Sequence, residues 1–164
     1  MKKVRKAQEE IYRELYNKHK GSPMAVSSES KAHKKLRFDM ISRIFRDDNK
    51  FSLHDIGMGI GDYYEYLLDY HGEKKIEYSG SEILRQFCDE AENRFPDINF
   101  FHRDIAEQPF DEAYDYLIMS GLFHQRRETK FKNWEDVADN ILYKSFLRCK
   151  KGIAVNFISP FVDF

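Results

Sequence analysis

The segment Phe51-Ser52-Leu53-His54-Asp55-Ile56-Gly57-Met58-Gly59-Ile60-Gly61-Asp62-Tyr63-Tyr64-Glu65-Tyr66-Leu67 constrains the fold more than any other stretch, because it reads as a strand, a glycine turn and the start of a helix. Three alternate glycines let the backbone turn tightly and let a ligand approach it without meeting a Cβ. Their spacing is informative. A dinucleotide-binding turn has the form G-x-G-x-x-G, whereas Gly57, Gly59 and Gly61 stand two apart, with the acid Asp55 two residues before the first of them.

The chain divides around this segment into a helical lead-in and an alternating body. Val4, Ala7, Ile11 and Leu15 recur at helical spacing and predict an amphipathic helix ending near Gly21, broken by Ser22-Pro23. Ser27 to Ser30 is a polar connector, and Leu36, Phe38, Met40, Ile41 and Ile44 predict a second helix. After Gly61 a helix carries Tyr63, Tyr66, Leu67 and Tyr70. The pattern then predicts a strand near Ile76 to Ser79, a helix from about Ile83 to Phe95, and strands near Ile98 to His102 and Tyr114 to Met119. A helix near Trp134 to Arg148 and a strand at Gly152 to Ile158 complete the series. Strands separated by helices imply crossover connections, and so an α/β, Rossmann-like, doubly wound and mostly parallel sheet. On this reading residues 1–48 form an N-terminal helical cap and residues 49–164 the core of one compact domain.

Composition narrows the function classes. A chain of 164 residues with 41% hydrophobic and 15% aromatic residues can bury a substantial core and is expected to be soluble. Lys and Arg number 27 against 28 Asp and Glu, so the positive field that non-specific phosphate binding needs is missing and no nucleic-acid partner is expected. Cys88 and Cys149 form neither a disulfide framework nor a zinc site, which fits a cytoplasmic location. His19, His33, His54, His71 and His102 show no metal-ligand spacing, so no metal is expected. No apolar run approaches the ~20 residues that span a bilayer, and the basic Met1-Lys2-Lys3-Val4-Arg5-Lys6 is followed by polar Gln8-Glu9-Glu10 rather than an apolar segment.

In a doubly wound sheet, ligands lie beyond the carboxyl ends of the strands, where strand order reverses. The second strand ends at Gly80-Ser81-Glu82, and a carboxylate there can accept from both hydroxyls of a ribose. The third ends at His102-Arg103-Asp104-Ile105, offering an acid for an exocyclic amine and an apolar side chain for a ring. The fourth ends at Ser120-Gly121-Leu122-Phe123-His124. Each has a plainer reading: a glycine that only makes a turn, or an acid that caps a helix or answers its dipole. Asp115 reads as a solvated residue at the start of its strand.

The D-x-G-x-G-x-G form resembles motif I of the class I S-adenosylmethionine-dependent methyltransferases, and the resemblance extends from about Leu36 to Ile158. It implies S-adenosyl-L-methionine as cofactor, with Asp55, Gly57, Gly59 and Gly61 at its aminocarboxypropyl end. Glu82 would hold the ribose, Asp104 and Ile105 the adenine, and Ser120 and Gly121 would form the floor beneath the sulfonium. The runs Gly21-Ser22-Pro23-Met24-Ala25-Val26, Leu36-Arg37-Phe38, Ser120-Gly121-Leu122-Phe123 and Gly152-Ile153-Ala154-Val155-Asn156-Phe157 look similar to a bacterial subgroup of small-molecule methyltransferases associated with polysaccharide or specialised metabolism. A small-molecule methyl acceptor, by weak preference a sugar or sugar-linked one, is the implied partner.

His124 lies where the acceptor would meet the methyl group and is the candidate catalytic base; its plainer reading is polar surface. Tyr12, Tyr16 and Phe38 are candidates for closing over the pocket and shaping substrate choice; their plainer reading is a packed cap without substrate contact. Methyltransferases of this kind usually continue past the fifth strand, and this chain stops at Phe161-Val162-Asp163-Phe164, so the usual C-terminal strands are expected to be absent. Truncation, a homodimer or C-terminal partner covering the fifth-strand edge, and a compact variant are the explanations; the first two are favoured. The alternative function is a truncated or non-catalytic S-adenosylmethionine-binding module acting through a partner.

Overall fold

The computed structural model describes residues 10, 13, 14, 16–18, 30–108, 111–123 and 131–157. Residues 10, 13, 14 and 16–18 are helical. Tyr16 turns its ring edge-on to Phe87 at 5.2 Å, and both are buried with Leu84. The Ser22-Pro23 break lies outside the described residues, as does Tyr12.

Helix α1 (Lys31–Ile41) starts earlier than the apolar spacing predicts. Ser30, with extended backbone, accepts from the His33 N–H at 3.1 Å and so caps the first turn. Lys31 to Lys35 hold no strongly apolar residue and therefore left no periodic signal there. The helix tightens into a 3-10 turn at Ser42–Phe45 and leads to strand β1 (Lys50–Ile56).

Next come α2 (Asp62–His71), β2 (Lys75–Glu82), α3 (Arg85–Arg94), β3 (Asn99–His102), β4 (Tyr114–Met119), α4 (Phe131–Phe146) and β5 (Cys149–Val155). The strands lie in the order β3-β2-β1-β4-β5, and every pair is parallel. The chain steps outward from β1 to β2 and β3, then returns to lay β4 on the other side of β1. A crevice therefore opens between the carboxyl ends of β1 and β4.

Alternation along β4 separates the layers. Tyr116 and Ile118 join Phe38 and Ile41 of α1 and Tyr63, Tyr66 and Leu67 of α2 on one face. Leu117 and Met119 join Trp134, Val137, Ala138 and Ile141 of α4 on the other. Met58, Cys88 and Ala91 pack with Phe100, which turns its ring toward Tyr78 and so places α3 on the α2 side. With layers on both faces, β1 is buried along nearly its whole length.

Two expectations are corrected. β5 runs Cys149–Val155 rather than Gly152 to Ile158; its Lys150 and Lys151 suit an edge strand but read as loop in sequence. Asp115 is not a solvated strand end, since its carboxylate accepts from the Ser52 N–H at 2.9 Å while the Asp115 N–H donates to Ser52 Oγ at 2.9 Å. This reciprocal pair ties β1 to β4 near their amino ends. Cys88 and Cys149 are free thiols, and no helix among the described residues is long and apolar enough to cross a membrane.

Candidate functional site

The glycine turn after β1 adopts the backbone that its composition demands. Gly57, Gly59 and Gly61 have φ of 75°, 60° and 83°, a region costly for residues with a Cβ. The Gly57 N–H donates to the Ser81 carbonyl at 2.8 Å, and the Gly61 N–H to the Met58 carbonyl at 3.2 Å. A Cβ on Gly57 would stand 2.7 Å from Leu122 Cδ1, so the turn and the segment after β4 meet at that glycine.

A cavity lies over this turn at the crevice. It is lined by Asp55, Gly57, Gly59, Glu82, Asp104, Ile105, Ser120 and Gly121, which brings together every residue proposed from the sequence for the cofactor except Gly61. Gly61 is not in the lining: a Cβ there would meet Phe95 at 3.0 Å and Ala91 at 3.8 Å, so the missing side chain lets the α2 start pack close against α3. His124 lies outside the described residues.

Asp55 is completely buried. Tyr78 donates its hydroxyl to Asp55 Oδ2 at 2.9 Å, while Oδ1 has no hydrogen-bond partner. Burial outweighs that bond and pushes the Asp55 carboxyl up to about 7. A buried carboxyl oxygen without a donor, on a residue lining the cavity, is the feature a ligand ammonium would satisfy.

Glu82 is also buried, and burial raises its carboxyl against the opposing pull of its bonds. Oε1 accepts from the Ile83 and Leu84 N–H groups at 2.7 and 3.1 Å, and Oε2 from the Gly59 N–H at 3.1 Å. The carboxylate thus ties the glycine turn to the loop before α3 while remaining in the cavity wall. This is the cap-like role weighed from sequence, combined with a place in the site. Asp104 is similar: Oδ1 accepts from the Ala106 N–H at 3.0 Å and shapes the turn that carries Ile105.

Helix α1 forms the opposite wall through Lys34, Arg37 and Phe38. Arg37 Nε donates to Ser120 Oγ at 3.1 Å. Lys34 donates to Asp62, which also accepts from Arg94 at 2.9 Å. Burial works against the Asp62 charge, but these cations outweigh it and hold the carboxyl below its usual range. Phe38 lines the cavity and is also buried in the core layer with Ile41 and Tyr63, while Tyr16 packs beside Phe87, a lining residue from α3.

Lys34, Met58, Asp62 and Ile141 line the cavity without a sequence signal that assigns them to it, and Arg37 stands only within the run Leu36-Arg37-Phe38. Lys34, Arg37 and Ile141 sit on helices distant in sequence from the motif, and nothing local marks them. Lys34 and Arg37 do stand one turn apart on α1, a spacing that predicts a shared face.

No protein-family model matches the chain, and no curated protein matches it significantly. Solved structures do. The sugar N-methyltransferase KedS8 from Streptoalloteichus sp ATCC 53650 superposes with a TM-score of 0.59 at 14% identity, over 93% of this chain and 57% of that one. The [4+2]-cyclase SpnF gives 0.57 at 16% identity, over 79% of this chain and 47% of that one. A methyltransferase from Thiobacillus denitrificans, solved with S-adenosyl-L-homocysteine, gives 0.51 at 17% identity, over 73% and 47%. The chain spans about half the length of these structures. With the parallel order β3-β2-β1-β4-β5 and the cavity at its reversal point, these likenesses establish that the chain has the Rossmann-like fold of the class I S-adenosylmethionine-dependent methyltransferases.

Proposed function

We propose that the cavity binds S-adenosyl-L-methionine and that the chain serves methyl transfer to a small molecule, with a sugar or sugar-linked acceptor preferred. The observation that carries this reading is the unpartnered Asp55 Oδ1, completely buried on a residue that lines a cavity shared with Glu82, Asp104 and two cations of α1. That donor and acceptor set suits a zwitterionic amino acid at one end and a nucleoside at the other. Likeness to a sugar N-methyltransferase and to a structure holding S-adenosyl-L-homocysteine supports it.

Bound S-adenosylmethionine would supply a methyl carbon activated by its positive sulfur. The chain's own residues would bind and orient. Asp55 accepts from the ammonium, Arg37 and Lys34 offer positive charge to the carboxylate, and Glu82 accepts from the ribose. Asp104 and Ile105 hold the base. Ser120 and Gly121 form the floor at the reacting end, where Leu122 and Ile141 supply apolar wall that excludes water. His124 is the proposed base for an acceptor hydroxyl.

A second reading, binding without methyl transfer, is favoured by the likeness to a [4+2]-cyclase, since one fold hosts different chemistries. Calorimetric titration with S-adenosylhomocysteine tests what both readings share: micromolar binding weakened by Asp55→Ala and by Glu82→Ala is expected, and no binding by the folded chain overturns both. Methyl transfer to a panel of sugars and amino sugars then separates them.

A further inference from the structure

The segment after β4 is held from several sides. Arg37 Nε reaches Ser120 Oγ at 3.1 Å, and Leu122 closes on Gly57. The remaining hold comes from the residues just past β5. Asn156 Oδ1 accepts from the Gly121 N–H at 2.7 Å, and the Asn156 N–H donates to the Met119 carbonyl at 3.4 Å, so Asn156 clasps the end of β4 with side chain and backbone together. Phe157 stacks on Phe123 at 5.3 Å with planes 9° apart. Gly121 has φ of 82°, a left-handed backbone, and its half-buried N–H is held by the Asn156 amide oxygen.

We propose that Asn156 is a positioning residue, which fixes the Gly121 peptide through its amide oxygen and thereby sets Ser120, Gly121 and Leu122 against the reacting end of the cofactor. The proposal rests on the cofactor reading above. Asn156 is not among the cavity-lining residues, and its action passes through Gly121. Its amide oxygen supplies the acceptor for the Gly121 N–H, a demand that a carboxylate meets and a methyl group does not. Loss of the acceptor leaves the Gly121 N–H to find another partner, and the turn shifts to provide one. A displaced floor costs binding at the sulfur end even when every lining side chain is intact.

The test compares wild type, Asn156→Ala and Asn156→Asp by S-adenosylhomocysteine titration and by amide hydrogen exchange. The Ala variant is expected to bind about tenfold more weakly and to exchange faster at residues 120–122, with β1 and β2 protection kept. The Asp variant, which retains the acceptor, is expected to bind within about twofold of wild type. Unchanged affinity in the Ala variant, or equal weakening in both, overturns the positioning role while leaving the cofactor reading intact. Global loss of protection in both variants also overturns it, because Asn156 would then be a stability residue. Failure of wild type to bind removes the cofactor reading, and the positioning role with it.

Discussion

His54 and Asp55 are consecutive in β1, completely buried, and turned to opposite faces of the sheet, and burial moves their proton affinities in opposite directions. Asp55 meets Tyr78 on the α2 side and is pushed up to about 7. On the other face His54 Nδ1 lies 2.7 Å from Ser79 Oγ and Nε2 lies 3.0 Å from Ser81 Oγ, with Tyr114 stacked at 4.7 Å. Burial, helped by the Arg103 charge, drives the imidazole down to about 3, so it stays neutral, donating from one nitrogen and accepting at the other.

Asp55 sets stability against binding. Between its ordinary value of 3.8 and the folded value of about 7, the native chain holds more protons than the unfolded chain, so stability falls as pH rises through that window. Asp55→Asn is expected to flatten this fall and to stabilise the chain by ~2 kcal/mol at pH 8. The same change should weaken S-adenosylhomocysteine binding about tenfold or more, through loss of the charge proposed to meet its ammonium. Denaturant melts from pH 4 to 8, with calorimetry at pH 8, check both halves.

His54 acts in the opposite sense. Below its ordinary value of 6.5 the unfolded chain takes a proton that the native chain refuses until about 3, so its contribution is present above pH 6.5 and is lost as pH falls. His54→Gln should remove much of this acid sensitivity while costing ~1–3 kcal/mol at pH 7 through imperfect bonding to the two serines. Urea melts at pH 7 and pH 5 give the difference directly.

Gly57 and Gly61 share a left-handed backbone but not a neighbour. Either glycine replaced by Ala should cost ~1–3 kcal/mol through strain and crowding. Gly57→Ala pushes on Leu122 in the cavity wall, whereas Gly61→Ala pushes on Phe95 behind α2. Thermal melts should therefore move for both, and cofactor affinity chiefly for Gly57→Ala.

Arg37 tests the contribution of α1 to the site. Arg37→Gln should lower S-adenosylhomocysteine affinity roughly tenfold with a stability change below ~1 kcal/mol, because the guanidinium lies in the cavity wall and not in the core. Equal affinity would show that α1 walls the cavity without holding its ligand. Repeating the titration at high salt separates a charge effect from a packing effect.

The strand, glycine turn and helix around Asp55 were legible in the sequence, as were the acids at the ends of β2 and β3. They were legible because each rests on a local rule: glycine for positive φ, alternation of strand and helix for crossovers, and one strand end per unit. Tyr114 to Met119 was bounded correctly because an apolar run of β-formers sits between polar stretches. The start of α1 and the bounds of β5 were not, because lysine-rich segments carry the same signal in an exposed helix turn, an edge strand and a loop.

What the sequence by itself determined is the layered parallel fold and the set of strand ends that line the cavity. Tertiary structure alone decided which residues share that site. It brought Lys34 and Arg37 across from α1, turned Gly61 away toward Phe95, spent the Glu82 carboxylate on the backbone of the glycine turn, and left Asp55 Oδ1 without a donor. The physical reason is that conformational preference belongs to a few neighbouring residues, whereas burial, charge pairing and the satisfaction of polar atoms depend on groups that meet only when distant segments pack.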